Sequence, residues 1–141
     1  MNSSECVLVD TSAWIIAFRG EGDQNATEFL KHKIILGQVA TTPLIILELI
    51  QGCKTEKERD QLRSELESLQ ILDIDNNVWE QAYDAVFHLR RNGITVPTID
   101  IILVSLALEH NCILFHFDRH FLIIARYLKN LNLMSIKHLE L

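Results

Sequence analysis

The chain has 141 residues, 48% of them hydrophobic and 23% charged, which fits one domain that buries roughly two-thirds of the surface its unfolded form exposes. Its abundant Ile, Leu and Val exclude disorder, and no apolar run reaches the ~18–20 residues of a membrane span; the longest, Ile101 to Leu108, is broken by Ser105. A net charge of −6, from 13 Lys and Arg against 19 Asp and Glu, excludes nucleic-acid binding through a bulk positive field, but not through a metal and a local basic rim.

In chain order, Cys6 to Val9 is a short β-branched run that reads as a buried strand stopping at Asp10. A strand-to-helix turn follows, with Thr11 or Ser12 as N-cap of a helix from Ala13 that ends at Gly20 and Gly22. A second helix is expected from Asn25 to Ile35, closed by Gly37. Val39 to Thr42 is a short strand, and Pro43 suits the first turn of a helix from Leu44 to Gln51, closed by Gly52. Thr55 to Leu69 carries Leu62, Leu66 and Leu69 at helical spacing and reads as amphipathic.

Ile71 to Ile74 is strand-like, and Asn76 or Asn77 should cap a long helix to Arg91. Its apolar residues are Trp79, Ala82, Tyr83, Val86, Phe87 and one flank of Leu89, and Asn92-Gly93 stops it. A linker through Pro97 leads into a helix from Ile99 to His110. Then come a strand from Cys112 to Phe117 that stops at Asp118, a helix from Arg119 to Leu128, and Ser135 to Lys137 as a final edge strand. Strands alternating with helices imply an α/β fold with a parallel sheet covered on both faces, spanning residues 1–141 as a single domain.

The three cysteines, at 6, 53 and 112, are odd in number and contain no C-x-x-C. They read as buried reduced thiols, and the first residues show no basic segment followed by an apolar stretch, so a cytoplasmic location is expected.

Four acids stand out. Asp10 and Asp118 sit at the carboxyl ends of two expected strands, where ligands bind in open parallel sheets. Glu48 and Asp100 interrupt or precede strongly apolar helices. Each has an ordinary use: Asp10 and Asp118 as turn or cap residues, Asp100 as a first-turn charge, and Glu48 as an exposed helix residue. Gathered at one sheet end they would repel one another, and a divalent cation relieves that repulsion. An all-oxygen ligand set selects a hard ion, Mg²⁺ or Mn²⁺. His116, Asp118 and His120 alternate, and an extended segment would place them on one face as a zinc site; the expected end of the strand before His120 argues against it. Arg90 and Arg91 close a helix, where they complement its dipole. Trp14 and Phe18 share a helix face and read as core. Arg119, Arg19 and Lys54 follow the acidic segments and could line a phosphate rim.

These segments resemble the motifs of the PIN-domain ribonucleases. Asp10-Thr-Ser-Ala-Trp-Ile is similar to the family's first motif and Leu47-Glu-Leu-Ile-Gln-Gly to its second. Pro97-Thr-Ile-Asp-Ile-Ile-Leu is similar to the third and Leu114-Phe-His-Phe-Asp-Arg-His-Phe to the fourth. Order and spacing look most like the VapC toxins of bacterial toxin–antitoxin pairs. The resemblance implies a three-layer α/β/α sandwich with a central, mainly parallel sheet. It also implies an Mg²⁺- or Mn²⁺-dependent endoribonuclease with Asp10, Glu48, Asp100 and Asp118 as its catalytic and metal-binding acids and Ser12 and Thr11 as supports. A structured RNA such as tRNA would be the substrate, a cognate antitoxin would place its tail in the acidic cleft, and the protein would be a homodimer. Two positions depart from the pattern. Val104 replaces the usual Ala of the third motif. His116 replaces the usual Thr or Ser of the fourth, which puts the polar support of Asp118 in question and brings an imidazole toward the carboxylates. The alternative is a non-catalytic or regulatory α/β domain that binds a divalent metal or a protein partner.

Overall fold

The computed structural model describes residues 5–18, 23–131 and 133–134, the last without its side chain. Among these residues five parallel strands form one sheet: β1 (Val7–Val9), β2 (Val39–Thr41), β3 (Gln70–Ile71), β4 (Ile113–Phe115) and β5 (Leu133–Met134). Their spatial order is β3-β2-β1-β4-β5. The register places Val7 beside both Val39 and Ile113, and Val9 beside Phe115. β1 is buried along its whole length, as are Leu114 and Phe115 of β4, which is why both read as unbroken apolar runs rather than as alternating ones.

Among the described residues, seven helices connect the strands: α1 (Thr11–Phe18), α2 (Gln24–Ile35), α3 (Pro43–Ile50), α4 (Glu56–Glu67), α5 (Asn76–Arg91), α6 (Thr98–Glu109) and α7 (Arg119–Tyr127). α1 packs on α2 and α3, and α3 on α4; α5, α6 and α7 pack on one another. The chain winds outward from β1 to β3, then crosses back to β4 on the other side of β1. With right-handed crossovers, such a reversal sends the two sets of helices to opposite faces. The crevice it creates lies between β1 and β4, at their carboxyl ends. No helix among the described residues is long and apolar enough to cross a membrane.

The element boundaries follow local chemistry. Asp10, rather than Thr11 or Ser12, starts α1, its carbonyl accepting from the N–H groups of Ala13 and Trp14. Asp75, rather than Asn76 or Asn77, caps α5 through the Val78 N–H, while Thr55 caps α4 through Glu58. Gly37 and Gly93 take the left-handed backbone expected after α2 and α5. The final strand lies at Leu133–Met134; the expected strand at 135–137, and the helix end at Gly20 and Gly22, lie outside the described residues.

Two expectations are corrected. Cys6 and Cys112 are not reduced thiols but a disulfide, with their Cα atoms 4.7 Å apart, while Cys53 is free. The parallel pairing of Val7 with Ile113 sets the residues just before them side by side, an adjacency that a separation of 106 residues conceals. In α5 the core takes Val78, Ala82, Ala85 and Leu89, whereas Trp79, Tyr83, Val86 and Phe87 are exposed. Ala82 and Ala85 are small enough to let α5 approach the apolar α6 closely, and the larger stripe is turned outward.

Candidate active site

The crevice collects the four acids from four elements. Asp10 follows β1, Glu48 projects from α3, Asp100 sits in the first turn of α6 and Asp118 caps α7 after β4. Three helix N-termini, those of α1, α6 and α7, therefore point their positive ends at this spot, where negative charge is favoured. The structural uses weighed for these acids are real. Asp118 accepts from the His120 N–H at 2.9 Å, which starts α7. Capping and clustering coexist because the helix starts are themselves gathered at the sheet's carboxyl edge.

The first two acids are held by the two residues after β1. Asp10 is buried, and its Oδ2 accepts from the Ser12 hydroxyl at 2.6 Å and the Ser12 N–H at 3.0 Å. The same hydroxyl accepts from the Phe117 N–H at 3.0 Å, so Ser12 ties the end of β1 to the segment after β4. The Thr11 hydroxyl donates to Glu48 Oε1 at 2.8 Å, which fixes a side chain from α3 over the same edge.

The other two acids are differently placed. Asp100 Oδ2 lies 3.3 Å from His120 Nδ1, and Asp118 Oδ1 lies 3.2 Å from that same nitrogen. Neither Asp100 Oδ2 nor His120 Nδ1 has a well-formed hydrogen bond among the described residues. Ligand atoms of Asp100, Asp118 and His120 all lie within 4.8 Å of one another, an arrangement able to hold a metal ion.

Electrostatics join the two halves. Burial pushes the Asp10 carboxyl above the usual carboxylate range; the hydrogen bonds from Ser12 oppose this, and the charge of Glu48 adds to it. Burial also raises Asp100, to about 6, reinforced by the charges of Asp118 and Asp10, while His120 draws it down. Both shifts have the same leading cause, burial of the carboxyl, and in both the charge of a neighbouring carboxylate adds to it.

The two histidines of the fourth segment separate. His116 is buried, with its ring against Phe121 at 5.0 Å between centroids, and its Nδ1 accepts from the Asp118 N–H at 3.2 Å. It therefore holds the Asp118 backbone instead of bringing an imidazole to the carboxylates. His120 is the histidine at the site, and it was missed as a site residue. The signal for it was its position two residues after Asp118, in the first turn of a helix rather than on an extended strand. β4 ends at Phe115 and α7 begins at Arg119, so residues 116, 118 and 120 share no face. Arg119 is exposed beside Asp118, and Lys54 is exposed between α3 and α4. Arg19 lies outside the described residues. Trp14 is buried and stacks on a half-exposed Phe18 at 5.7 Å.

A three-layer α/β domain with an acidic crevice at its topological switch point is the class these features define. The PIN domain model matches residues 7–127: the chain belongs to the PIN domain family. It is 29% identical over 136 residues to the VapC ribonuclease Mb1587 of Mycobacterium bovis, covering 93% of this chain and 99% of that protein. Ribonuclease VapC11 of Mycobacterium tuberculosis matches to the same extent. Among solved structures, a DNA-bound VapBC complex from Salmonella typhimurium superposes with a TM-score of 0.74 at 13% identity, over 93% of this chain and 98% of that one. FitAcB from Neisseria gonorrhoeae superposes with a TM-score of 0.73 at 17% identity, over 91% and 96%.

Proposed function

We propose that the chain is a metal-dependent endoribonuclease and the toxin of a toxin–antitoxin pair. The observation that carries this reading is the convergence of Asp10, Glu48, Asp100 and Asp118 at the switch point of a PIN domain, with negative charge left uncompensated. A divalent cation fits that need. The donors are carboxylates with one imidazole nitrogen, that of His120, beside Asp100 and Asp118; Asp100 Oδ2 is buried without a well-formed hydrogen bond, and a set dominated by hard oxygen donors suits Mg²⁺ or Mn²⁺.

In this reading Asp10, Asp100 and Asp118 would hold the ion, and Glu48 would serve as a further acidic group toward it or as the general base. A bound divalent ion lowers the pKa of its water and stabilises charge on the phosphoryl oxygens. The chain's own residues prepare the ground. The Ser12 hydrogen bonds favour the ionised form of Asp10 and oppose the upward push of burial, Thr11 fixes the Glu48 carboxylate, and His116 anchors the backbone of Asp118. Arg119 stands ready at the rim for a neighbouring phosphate, with Lys54 as a second candidate.

The relatives named ribonucleases support RNA as substrate, and tRNA or another structured RNA remains the expectation from the family likeness. Neighbours solved as VapBC complexes support an antitoxin partner. A cavity of about 700 Å³ among α1, α2 and α4, lined by Trp14, Phe18, Ile34, Ile35, Leu62 and Leu66, offers such a partner an apolar face, and the acidic crevice offers an anionic contact to a cationic group on its tail. The reading also takes the chain as a cytoplasmic homodimer, as its likeness to VapC toxins implies.

The test is cleavage of labelled RNA by the purified chain with Mg²⁺, with Mn²⁺ and with chelator, beside Asp10→Asn. Cleavage that needs the metal and Asp10 is expected. Metal binding without cleavage of any RNA would return the chain to the non-catalytic alternative.

A further inference from the structure

The chain carries a net charge of −6, yet from Arg119 onward its sequence holds no acid until Glu140. α7 opens this stretch at the crevice, directly after its cap Asp118. Arg119, Leu122 and Arg126 are exposed and recur at i, i+3 and i+7, so they share one face of the helix. Lys129, also exposed, follows just past the end of α7. Among the described residues none of these three cations has an ion pair. Elsewhere Lys33 pairs with Glu5, Arg59 with Asp60 and Arg63 with Glu67.

Helix chemistry accounts for only one member of this row. Arg126 lies in the last turn of α7, where a cation complements the helix dipole. Arg119 lies in the first turn, where a cation opposes that dipole, and it forms an ion pair with none of the crevice carboxylates. The helix gains nothing from an arginine there, so its charge is available to something outside the chain. Seven residues at 1.5 Å each set Arg126 about 10 Å from Arg119 along the helix. That is the span of about three phosphates of a stacked strand, at ~3.4 Å apiece. A row of cations that begins beside Asp118 and runs away from the crevice is continuous with the place where a phosphodiester would be cut. A strand with one phosphate in the crevice has its next phosphates along the row.

We infer that the exposed face of α7 is a track for the RNA strand that leads away from the crevice, with Arg119, Arg126 and Lys129 meeting backbone phosphates. This rests on the ribonuclease reading and names the surface that holds its substrate. A local row of unpaired cations lets an acidic chain bind a polyanion without a bulk positive field. Contacts to phosphates position a strand and carry no sequence information, so the track supplies affinity and leaves base choice to other groups. Each phosphate neutralised releases counterions, which ties the number of contacts to the salt dependence of binding.

The test is the affinity of the full chain for a short labelled single-stranded RNA with phosphorothioate linkages, which resist hydrolysis. Binding is followed by fluorescence anisotropy over a series of salt concentrations at one fixed Mg²⁺ concentration, with circular dichroism as the check on folding. Arg126→Gln should lower the slope of log affinity against log salt by roughly 0.7, and Arg126→Gln combined with Lys129→Gln by roughly twice that. Arg126→Lys should keep the wild-type slope. Lys57→Gln, exposed on α4, should also keep it; an equal loss there would make the effect one of net charge and overturn the track. A cation that serves only the helix dipole would change the melting temperature and leave the slope alone. A wild type that binds no RNA overturns the ribonuclease reading together with this one. RNA binding with the wild-type slope in both Gln variants leaves that reading standing and overturns the track on α7. A poly-glutamate peptide bound as tightly as the RNA, with the same loss of slope in the variants, would give the face to an acidic protein instead.

Discussion

The two halves of the acidic crevice are built differently. On the Asp10 and Glu48 side each carboxylate has a hydroxyl donor, from Ser12 and Thr11 respectively, and the arrangement is complete within the protein. On the Asp100 and Asp118 side the carboxylates approach each other across His120, and a buried oxygen of Asp100 has no well-formed hydrogen bond. One half is fixed before anything binds; the other is left with charge to be met from outside. The contrast teaches where a cation would gain most: it would be oriented by the first half and drawn by the second.

The largest effects should come from removing charge on either side. Asp10→Asn and Asp100→Asn should each lower RNA cleavage at least about a hundredfold, since a metal ion's stabilisation of transition-state charge amounts to several kcal/mol. Asp60→Asn, on the exposed α4, should leave the rate unchanged. Single-turnover cleavage of one RNA by the three variants decides the matter. Equal losses in all three would place the effect on folding and dissolve the distinction between pocket and surface.

Stability without metal should separate the halves next. A carboxyl raised in the folded state holds its proton more tightly there than in the unfolded chain. The Asp100 contribution is therefore fully favourable below its ordinary value of 3.8 and is lost as pH rises through about 6. The two values imply a penalty of about 3 kcal/mol once both states are ionised. In chelator, wild-type stability should fall relative to Asp100→Asn between pH 4 and 7, read by urea unfolding at a series of pH values. Mg²⁺ or Mn²⁺ at ~100 times its Kd should restore about 2.7 kcal/mol to the wild type at neutral pH, seen as a rise in Tm. Parallel pH curves for the two proteins would show that Asp100 is not the strained group.

Much of this contrast could be read in the sequence, and the part that could not has identifiable causes. The acids were visible because each stands at the end of an apolar strand or within an apolar helix, where an unpaired charge is costly. Their partners were partly visible: Thr11 and Ser12 lie in the turn that delivers Asp10. Spacing alone could not separate His116 from His120, since the extended segment stops one residue before His116 and the chain turns before His120. Nor could periodicity tell which of two apolar stripes of α5 enters the core. The larger stripe, Trp79 to Phe87, looks the better core on hydrophobicity, yet close packing on α6 favours Ala82 and Ala85. The Cys6–Cys112 bond depends on a strand pairing that no local pattern reports.

Smaller effects sharpen the comparison within the complete half. Ser12→Ala removes the hydroxyl that donates to Asp10 and leaves the Phe117 N–H without its acceptor. A buried group left unsatisfied costs about 1–3 kcal/mol, so this variant should lose stability by that amount as well as activity, measured by urea unfolding and cleavage rate together.

Thr11→Ala should do less to the fold and show its effect in the rate. The Thr11 hydroxyl makes one hydrogen bond, to a half-buried Glu48 that water can still reach, and a bond of that kind contributes about 0.5–1.5 kcal/mol net. Solvent replaces most of what folding loses, so the unfolding midpoint should move little. What solvent does not replace is direction: a Glu48 side chain on α3 with free rotamers spends less time over the crevice. Thr11→Ser keeps the hydroxyl and should keep the rate, whereas Thr11→Ala should lower it with unchanged metal affinity, measured by calorimetry. A loss of metal affinity in Thr11→Ala equal to the loss in rate would instead make Glu48 a direct ligand, and the side of the crevice described as complete would then also depend on the ion.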